Sequence, residues 1–360
     1  MSTYLIQDTT LSSIANAIRA KAGKSEAFTP AQMASEIENL PTGGGDVEAF
    51  IEGTVSVIEN SAVSKVGTYA FYYCDALTSV NLPSATSIGG YAFYYCYNLT
   101  SISLPLATTI GNNAFFCCSA LTSINLPLAT TTGYSAFYSC RALASVNLPA
   151  ATRIGSSTFH NCSALTSINL PSATSIGGYA FYGCDALTSV NLPSATSIGG
   201  YAFADCSALT SISLPLATTI GSYIFLGCET LTSISLPSAT TIRNSAFARC
   251  SGLTSINLPL VTSMGTHTFY SCYALTSISL PLVTRIEVYT FTYCYSLISL
   301  YLLGSSIPTL ANSNAFNSTP IGGYSVSAGQ YGSIYVPASL FSSYKTATNW
   351  SYFSSRFVSV

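Results

Sequence analysis

The sequence predicts an α/β repeat solenoid, and three observations predict it. A cysteine returns every 22 residues, at Cys74, Cys96, Cys118, Cys140, Cys162, Cys184, Cys206, Cys228, Cys250, Cys272 and Cys294, with no insertion or deletion. Counting that cysteine as position 0, Leu recurs at +3, Ile or Val at +6, Leu at +8, Pro at +9, Ile at +14 and Phe at +19. In the first unit these are Leu77, Val80, Leu82, Pro83, Ile88 and Phe93. Around +6 the residues alternate polar and apolar, the period of two of a half-buried strand. Units held in register over this length mean stacked coils, each burying its apolar face against its neighbours.

At the amino end, Leu11, Ile14, Ala15 and Ile18 fall at helical spacing, and Gly23 stops the helix after Lys21. Thr29, Pro30 and Gln32 supply a cap, a first-turn proline and a capping-box partner for a second helix carrying Met33, Ile37 and Leu40. Residues 1–41 therefore read as a small helical hairpin and 42–51 as a Gly-rich link. The apolar stripe is too small for an independent domain. Two roles stay open for it: a cap folded on the first coil, or a module that attaches the solenoid to something larger or oligomerises it.

The solenoid is expected over 52–304. Residues 52–73 keep the later half of the unit, VSKVGTYAFYY, and lose the earlier half, as a terminal repeat facing solvent does. Within a full unit Pro83 closes a short strand, since it cannot donate along a ladder. TSIG then forms a second short extended piece. Ala92, Phe93 and Cys96 sit at i, i+1 and i+4, the inward stripe of one helical or 3₁₀ turn, which leaves +16, +17, +20, +21 and +1 outward. Residues 305–360 form an α+β cap: a loop-like polar stretch to Gly323, a strand from Ser333 to Pro337, a helix-like SLFSSYKTATNW and a final strand RFVSV, with Trp350 packed inside.

This pattern resembles the leucine-rich repeats of the Treponema and BspA-like type, whose units read roughly NLTSIxLPxxVTSIGxxAFxxC, over about residues 52–303. The resemblance implies a curved right-handed coil with a parallel sheet on its concave side. Residues 334–360 are similar to the carboxy-terminal caps of BspA-like proteins. The segment LSSIANAIRAKAGKSEAFTPAQMASEIENL resembles the short amino-terminal module of tail-fibre and other structural proteins of phages of gut Firmicutes. That resemblance implies a virion-tail location and contact with other tail proteins through 1–41. A BspA-like adhesin on a bacterial cell surface would instead need a signal peptide and an anchor, and a structural or intracellular scaffold protein is the third reading. MSTYLIQDTT shows neither the basic start nor the apolar run of a signal, so the chain is expected to stay where it is made unless assembled into something that leaves.

Composition narrows the function. Only 7% of residues are charged, and no Lys lies between Lys65 and Lys345, so the basic stripe that phosphate binding needs is missing. Neither nucleic acid nor a polybasic membrane contact fits, and no stretch is long enough to span a membrane. No nucleophile, base and orienting acid form a constellation, and the carboxylates are scattered among distant coils, so catalysis and cofactors are not expected. The cysteines read as a reduced, buried column, because parallel side chains and an odd number of positions oppose pairing. With His160 and His267 the only histidines, zinc has no ligand set.

Comparing the repeats with each other locates a candidate surface. Framework positions hardly change, whereas the outward turn positions vary and are rich in Tyr, with Asn and occasional Arg. They carry Tyr91, Tyr94, Tyr95, Tyr97, Asn113, Phe116, Tyr134, Tyr138, Arg141, His160, Tyr179, Tyr182, Tyr201, Asp205, Tyr223, Arg249, His267, Tyr270 and Tyr289. Tyrosine gives large amphipathic contact at low entropy cost, as in antibody paratopes. Unselected drift on a surface would bring in Lys and Glu, which are nearly absent. The expectation is a recognition face for a bacterial surface protein or glycan, set against a uniform Ser, Thr and Asn lattice on the strand side.

Overall fold

The computed structural model describes residues 56–324 and 331–360. The hairpin expected at 1–41 and the link at 42–51 lie outside the described residues. The chain divides into two compact units, 1–173 and 174–360. Both are built from the same coil, and each is described by itself.

In the first unit every coil contributes a three-residue strand, beginning with Val57–Glu59, Ser79–Asn81 and Ser101–Ser103. These pair in parallel with Ile58 opposite Val80 and Val80 opposite Ile102, so the 22-residue period becomes a zero-shift register. The first coil keeps a strand despite its divergent sequence, because Ile58 still fills the inward +6 site. The TSIG segments form a second parallel ladder, Ser87–Ile88, Thr109–Ile110, Thr131–Thr132 and Arg153–Ile154. Threonine hydroxyls extend both ladders: Thr100 donates to the Thr78 carbonyl at 2.9 Å and Thr108 to that of Thr86 at 3.1 Å. Coils approach closely enough that a side chain at Gly111 would put its Cβ 2.4 Å from the Gly90 nitrogen.

The interior is a set of columns, one residue type each. Phe71, Phe93, Phe115, Phe137 and Phe159 are fully buried, and their rings stack nearly parallel at 4.9, 5.1, 5.0 and 5.4 Å. The cysteines are free thiols with a specific task. Cys118 donates Sγ–H to the Phe93 carbonyl of the previous coil at 3.0 Å, and Cys140 does the same to Phe115 at 3.1 Å. That carbonyl also accepts the amide of its own coil's cysteine, as in the 3.2 Å bond from Cys96 to Phe93. Both lone pairs of a buried carbonyl are thereby satisfied, which a small apolar residue would not achieve.

The turn side differs from a helix in one respect. Bonds of the i to i−3 kind close it, as from Tyr94 to Tyr91 and from Cys96 to Phe93. The amides at +17, +19 and +21, however, donate to the next coil: Tyr91 to Asn112, Phe93 to Ala114 and Tyr95 to Phe116, at 2.7–2.9 Å. Residues +17 and +21 are left-handed to make this possible, including Tyr91 (φ 57), Tyr95 (φ 60), Asn113 (φ 55) and Cys117 (φ 59). The expected turn is present, but its backbone serves a third inter-coil ladder instead of winding on as a helix.

The second unit repeats the plan. Its long strands run from Ser189–Asn191 to Ser299–Tyr301 and continue, still parallel, into Ser333–Val336 and Phe357–Ser359. Its phenylalanine column runs from Phe181 to Phe291 and on to Phe316, 5.5 Å away. The stretch expected as a polar loop after 304 is therefore one more degenerate coil: Thr309–Leu310 pairs with Arg285–Ile286, and Ser313–Phe316 supplies the 3₁₀ turn that inserts Phe316. The cap follows the expected order, with a short helix Phe341–Thr346. Trp350 is buried and its Nε1–H donates to the Pro308 carbonyl at 2.7 Å. Among the described residues no helix is long and apolar enough to cross a membrane.

Candidate functional site

The zero-shift register stacks the outward turn positions as strictly as the inward ones, and this decides what the varied residues offer. In the first unit the +20 positions form a continuous aromatic ladder. Tyr72, Tyr94, Phe116, Tyr138 and His160 stack at 5.1, 4.8, 4.7 and 4.5 Å. All five are half-buried. Their ring faces are occupied by one another, so only edges and polar atoms look outward. Burial lowers the pKa of His160 and raises that of the Tyr94 phenol.

Around this ladder the more accessible side chains gather. Tyr95 lies 4.3 Å from Tyr94, 5.3 Å from Tyr97 and 5.6 Å from Phe116, measured between ring centres. Burial first, and then the nearby Tyr134 phenol, raise the pKa of Tyr91, whereas the neighbouring Asn113 side chain lowers it. Asn113 corrects the sequence expectation: it is buried, at 7% exposure, next to the Tyr91 phenol. Tyr97 and Tyr134 are exposed at 42% and 49%, and Arg141 is exposed beside Cys117, where its charge partly offsets the rise in thiol pKa that burial causes. The structure thus brings nine of the expected residues, Tyr91 to Arg141, into one aromatic neighbourhood.

In the second unit the expected residues form two groups. Tyr179, Tyr201 and Tyr223 stack at 4.6 Å per step, and Tyr182 hydrogen-bonds to the Asp205 carboxylate, which raises the phenol's pKa. Farther along, His267 contacts Tyr289 at 4.9 Å and Tyr270 at 5.4 Å, and Tyr270 meets Tyr293 edge-on at 5.3 Å. Arg249, exposed and left-handed at φ 63, lies on a coil between the two groups.

Sequence reasoning missed part of this surface. Tyr69, Tyr72 and Tyr73 extend the first cluster, with Tyr69 stacked on Tyr91 at 4.9 Å and Tyr73 tilted against Tyr95 at 4.8 Å. The preserved spacing of VSKVGTYAFYY was the available signal. Tyr273, Tyr295 and Tyr324 extend the last cluster in the same way. The strand side is chemically plainer. Its side chains bond to each other along the ladder, as in Asn147 to Asn125 at 2.8 Å and Ser101 to Ser79 at 3.0 Å. Among the described residues no three His, Cys, Asp or Glu side chains come together to hold a metal ion.

Comparison with known proteins agrees with this architecture. The sequence matches the BspA type leucine rich repeat region family, in six copies, over residues 51–163, 130–241 and 218–343. No curated protein sequence matches the chain. A leucine-rich repeat protein from Bacteroides ovatus is 28% identical over 85% of this chain and 84% of its own, with a TM-score of 0.62. A leucine rich cell surface protein from Faecalibacterium prausnitzii is 26% identical over 68% and 84%, with a TM-score of 0.39. A leucine-rich repeat protein from Eubacterium ventriosum is 20% identical over 74% and 83%, with a TM-score of 0.44. With the family matched over most of its length, and with the same coil visible in its structure, the chain belongs to the BspA-type leucine-rich repeat proteins.

Proposed function

We propose that this protein is a non-enzymatic recognition protein whose tyrosine-rich turn face engages a protein or glycan on a bacterial surface. One observation carries the reading: the outward turn positions are filled by aromatic side chains that the fold does not require there, since Ser, Ala or Gly stand in the same columns elsewhere. Such aromatics, with Arg141 at their margin, are the side chains in which interface energy concentrates. The place of action we propose is a phage tail, to which residues 1–41 would attach or oligomerise the solenoid. The second reading is an adhesin of a bacterial cell surface, favoured by the solenoid's family.

The test uses full-length fluorescent protein and intact bacteria of candidate host strains. Because Tyr94 belongs to the stacked ladder, the variant to make changes Tyr91, Tyr95 and Tyr97 to Ser, a residue that +17 and +21 already carry in Ser135 and Ser139. This variant is expected to lose most of its labelling, whereas changing Asn147 and Asn125 to Ala is not. The reverse result would move recognition to the strand face. Competition by excess protein against phage adsorption would support the tail reading, and antibody labelling of producing cells the adhesin reading.

A further inference from the structure

The second inter-coil ladder of the second unit is interrupted twice, between Ser197–Ile198 and Thr219–Ile220 and between Ser263–Met264 and Arg285–Ile286. Between residues 196–200 and 218–222 the second ladder parts. The amides of Thr196 and Gly199 donate to Thr174 and Ile176 of the previous coil, and those of Thr240 and Arg243 donate to Thr218 and Ile220. Among the described residues the equivalent bonds from Thr218 and Gly221 to Thr196 and Ile198 are missing, as is the threonine hydroxyl bond that accompanies them elsewhere in this column. A Cβ on Gly221 would stand 3.2 Å from its nearest neighbour, against 2.4 Å at Gly199 one coil earlier. Ile198 is correspondingly the most exposed member of its column, at 7%.

An open groove of about 510 Å³ occupies this parting. That volume lies within the range of small-molecule sites. Its walls are hydroxyls, from Thr196, Ser197, Thr218, Thr219 and Ser222, over a floor of glycine backbone. At its edge stands Arg243, in a column that Gly otherwise holds from Gly89 to Gly265. No carboxylate lies within ion-pair distance of Arg243 among the described residues. Inter-coil amides and carbonyls released from each other, a hydroxyl rim and one guanidinium make a site for a ligand rich in hydroxyls that carries one carboxylate. Arginine is the side chain suited to hold that carboxylate in a bidentate pair.

We propose that this groove binds a single acidic sugar residue of the uronic acid type, its carboxylate on Arg243 and its hydroxyls on the threonine and serine rim. A peptide terminus would find only Ile198 for an apolar side chain, and a phosphate dianion would meet a single cation. The site lies on the second ladder of the second unit and does not rest on the tyrosine face.

The experiment is a titration of the full-length protein with D-glucuronate, D-glucose and acetate, followed by ligand-observed saturation-transfer NMR. Glucuronate is expected to saturate, glucose to bind more weakly and acetate not to bind measurably. Arg243→Gly, which restores the column residue, should weaken glucuronate about tenfold or more, the worth of a charge-assisted hydrogen bond pair. Arg153→Thr, on the second ladder of the first unit, should leave it unchanged, and Thr218→Val should weaken it with the charge intact. The proposal is overturned by an absence of saturable glucuronate binding, by equal binding to Arg243→Gly, or by acetate binding as well as glucuronate.

Discussion

Replacing Phe115 with Ala should cost about 3–5 kcal/mol, the range for emptying a fully buried aromatic site. The terms come from its surroundings. Burial of the ring contributes roughly 1.5–3 kcal/mol. Its two parallel partners, Phe93 at 5.1 Å and Phe137 at 5.0 Å, add about 0.5–1.5 kcal/mol each. The gap cannot close easily, because the backbone around it is tied to both neighbouring coils, by the Phe115 amide to Ala136 of the following coil and by the Cys118 thiol to the Phe93 carbonyl of the preceding one. Phe225, with partners at 5.8 and 5.7 Å, is stacked more loosely, and its replacement should cost about 1 kcal/mol less. Repeat arrays need not unfold as one unit, so the loss is best read by native-state hydrogen exchange, coil by coil. Faster exchange should be confined to the coils carrying Phe93, Phe115 and Phe137. A loss below about 1 kcal/mol, or one spread evenly along the chain, would refute the column as the source of stability.

Three further outcomes follow from the same structure. Burial pushes the thiols of Cys118, Cys206, Cys250 and Cys272 well above their ordinary value. Their contribution to stability is therefore complete below the unfolded pKa of about 8.5 and is lost as pH rises above it, by up to roughly 1.4 kcal/mol per thiol per pH unit; urea midpoints that stay flat from pH 8 to 10 would contradict this. With a bulky thiol reagent on native protein, Cys117, half-exposed and beside Arg141, should be modified before any buried column cysteine, as peptide mapping would reveal. At the left-handed position of Arg249, Val should be less stable than Gly by about 1–2 kcal/mol, and equal melting of the two variants would mean that the turn relaxes to another backbone.

Much of the interior was legible because a repeated sequence names its own columns. The inward path of Val80, Phe93 and Cys96, the second strand at TSIG and the order of the cap all follow from spacing and from proline. What spacing could not reveal was the backbone of the turn. Tyr91, His267 and Arg249 carry no sign of a left-handed conformation; Gly183 and Gly227 at +21, with Asn161 and Asp205 in the same column, were the clue. Nor does spacing distinguish a side chain that projects from one that stacks: Tyr94 and Tyr138 fall at outward positions, yet the register lays each on its neighbours. The parting of the coils at Thr218 left a trace only in Arg243, one charged residue in a glycine column.

The cysteine-to-phenylalanine hydrogen bond has a consequence for how such a chain can change over generations. Each coil satisfies the carbonyl of the coil before it and leaves its own to the coil after, so any unit is a valid successor to any other. Misaligned recombination between nearly identical segments, such as 74–95 and 162–183, would yield a chain with whole coils gained or lost and every buried bond intact. Each coil gained or lost would move the cap along the stack by one strand spacing, about 4.8 Å. The groups displayed outside would be reshuffled among coils whose interiors are interchangeable. Length and surface can then be selected separately, a freedom that a single closed core does not offer.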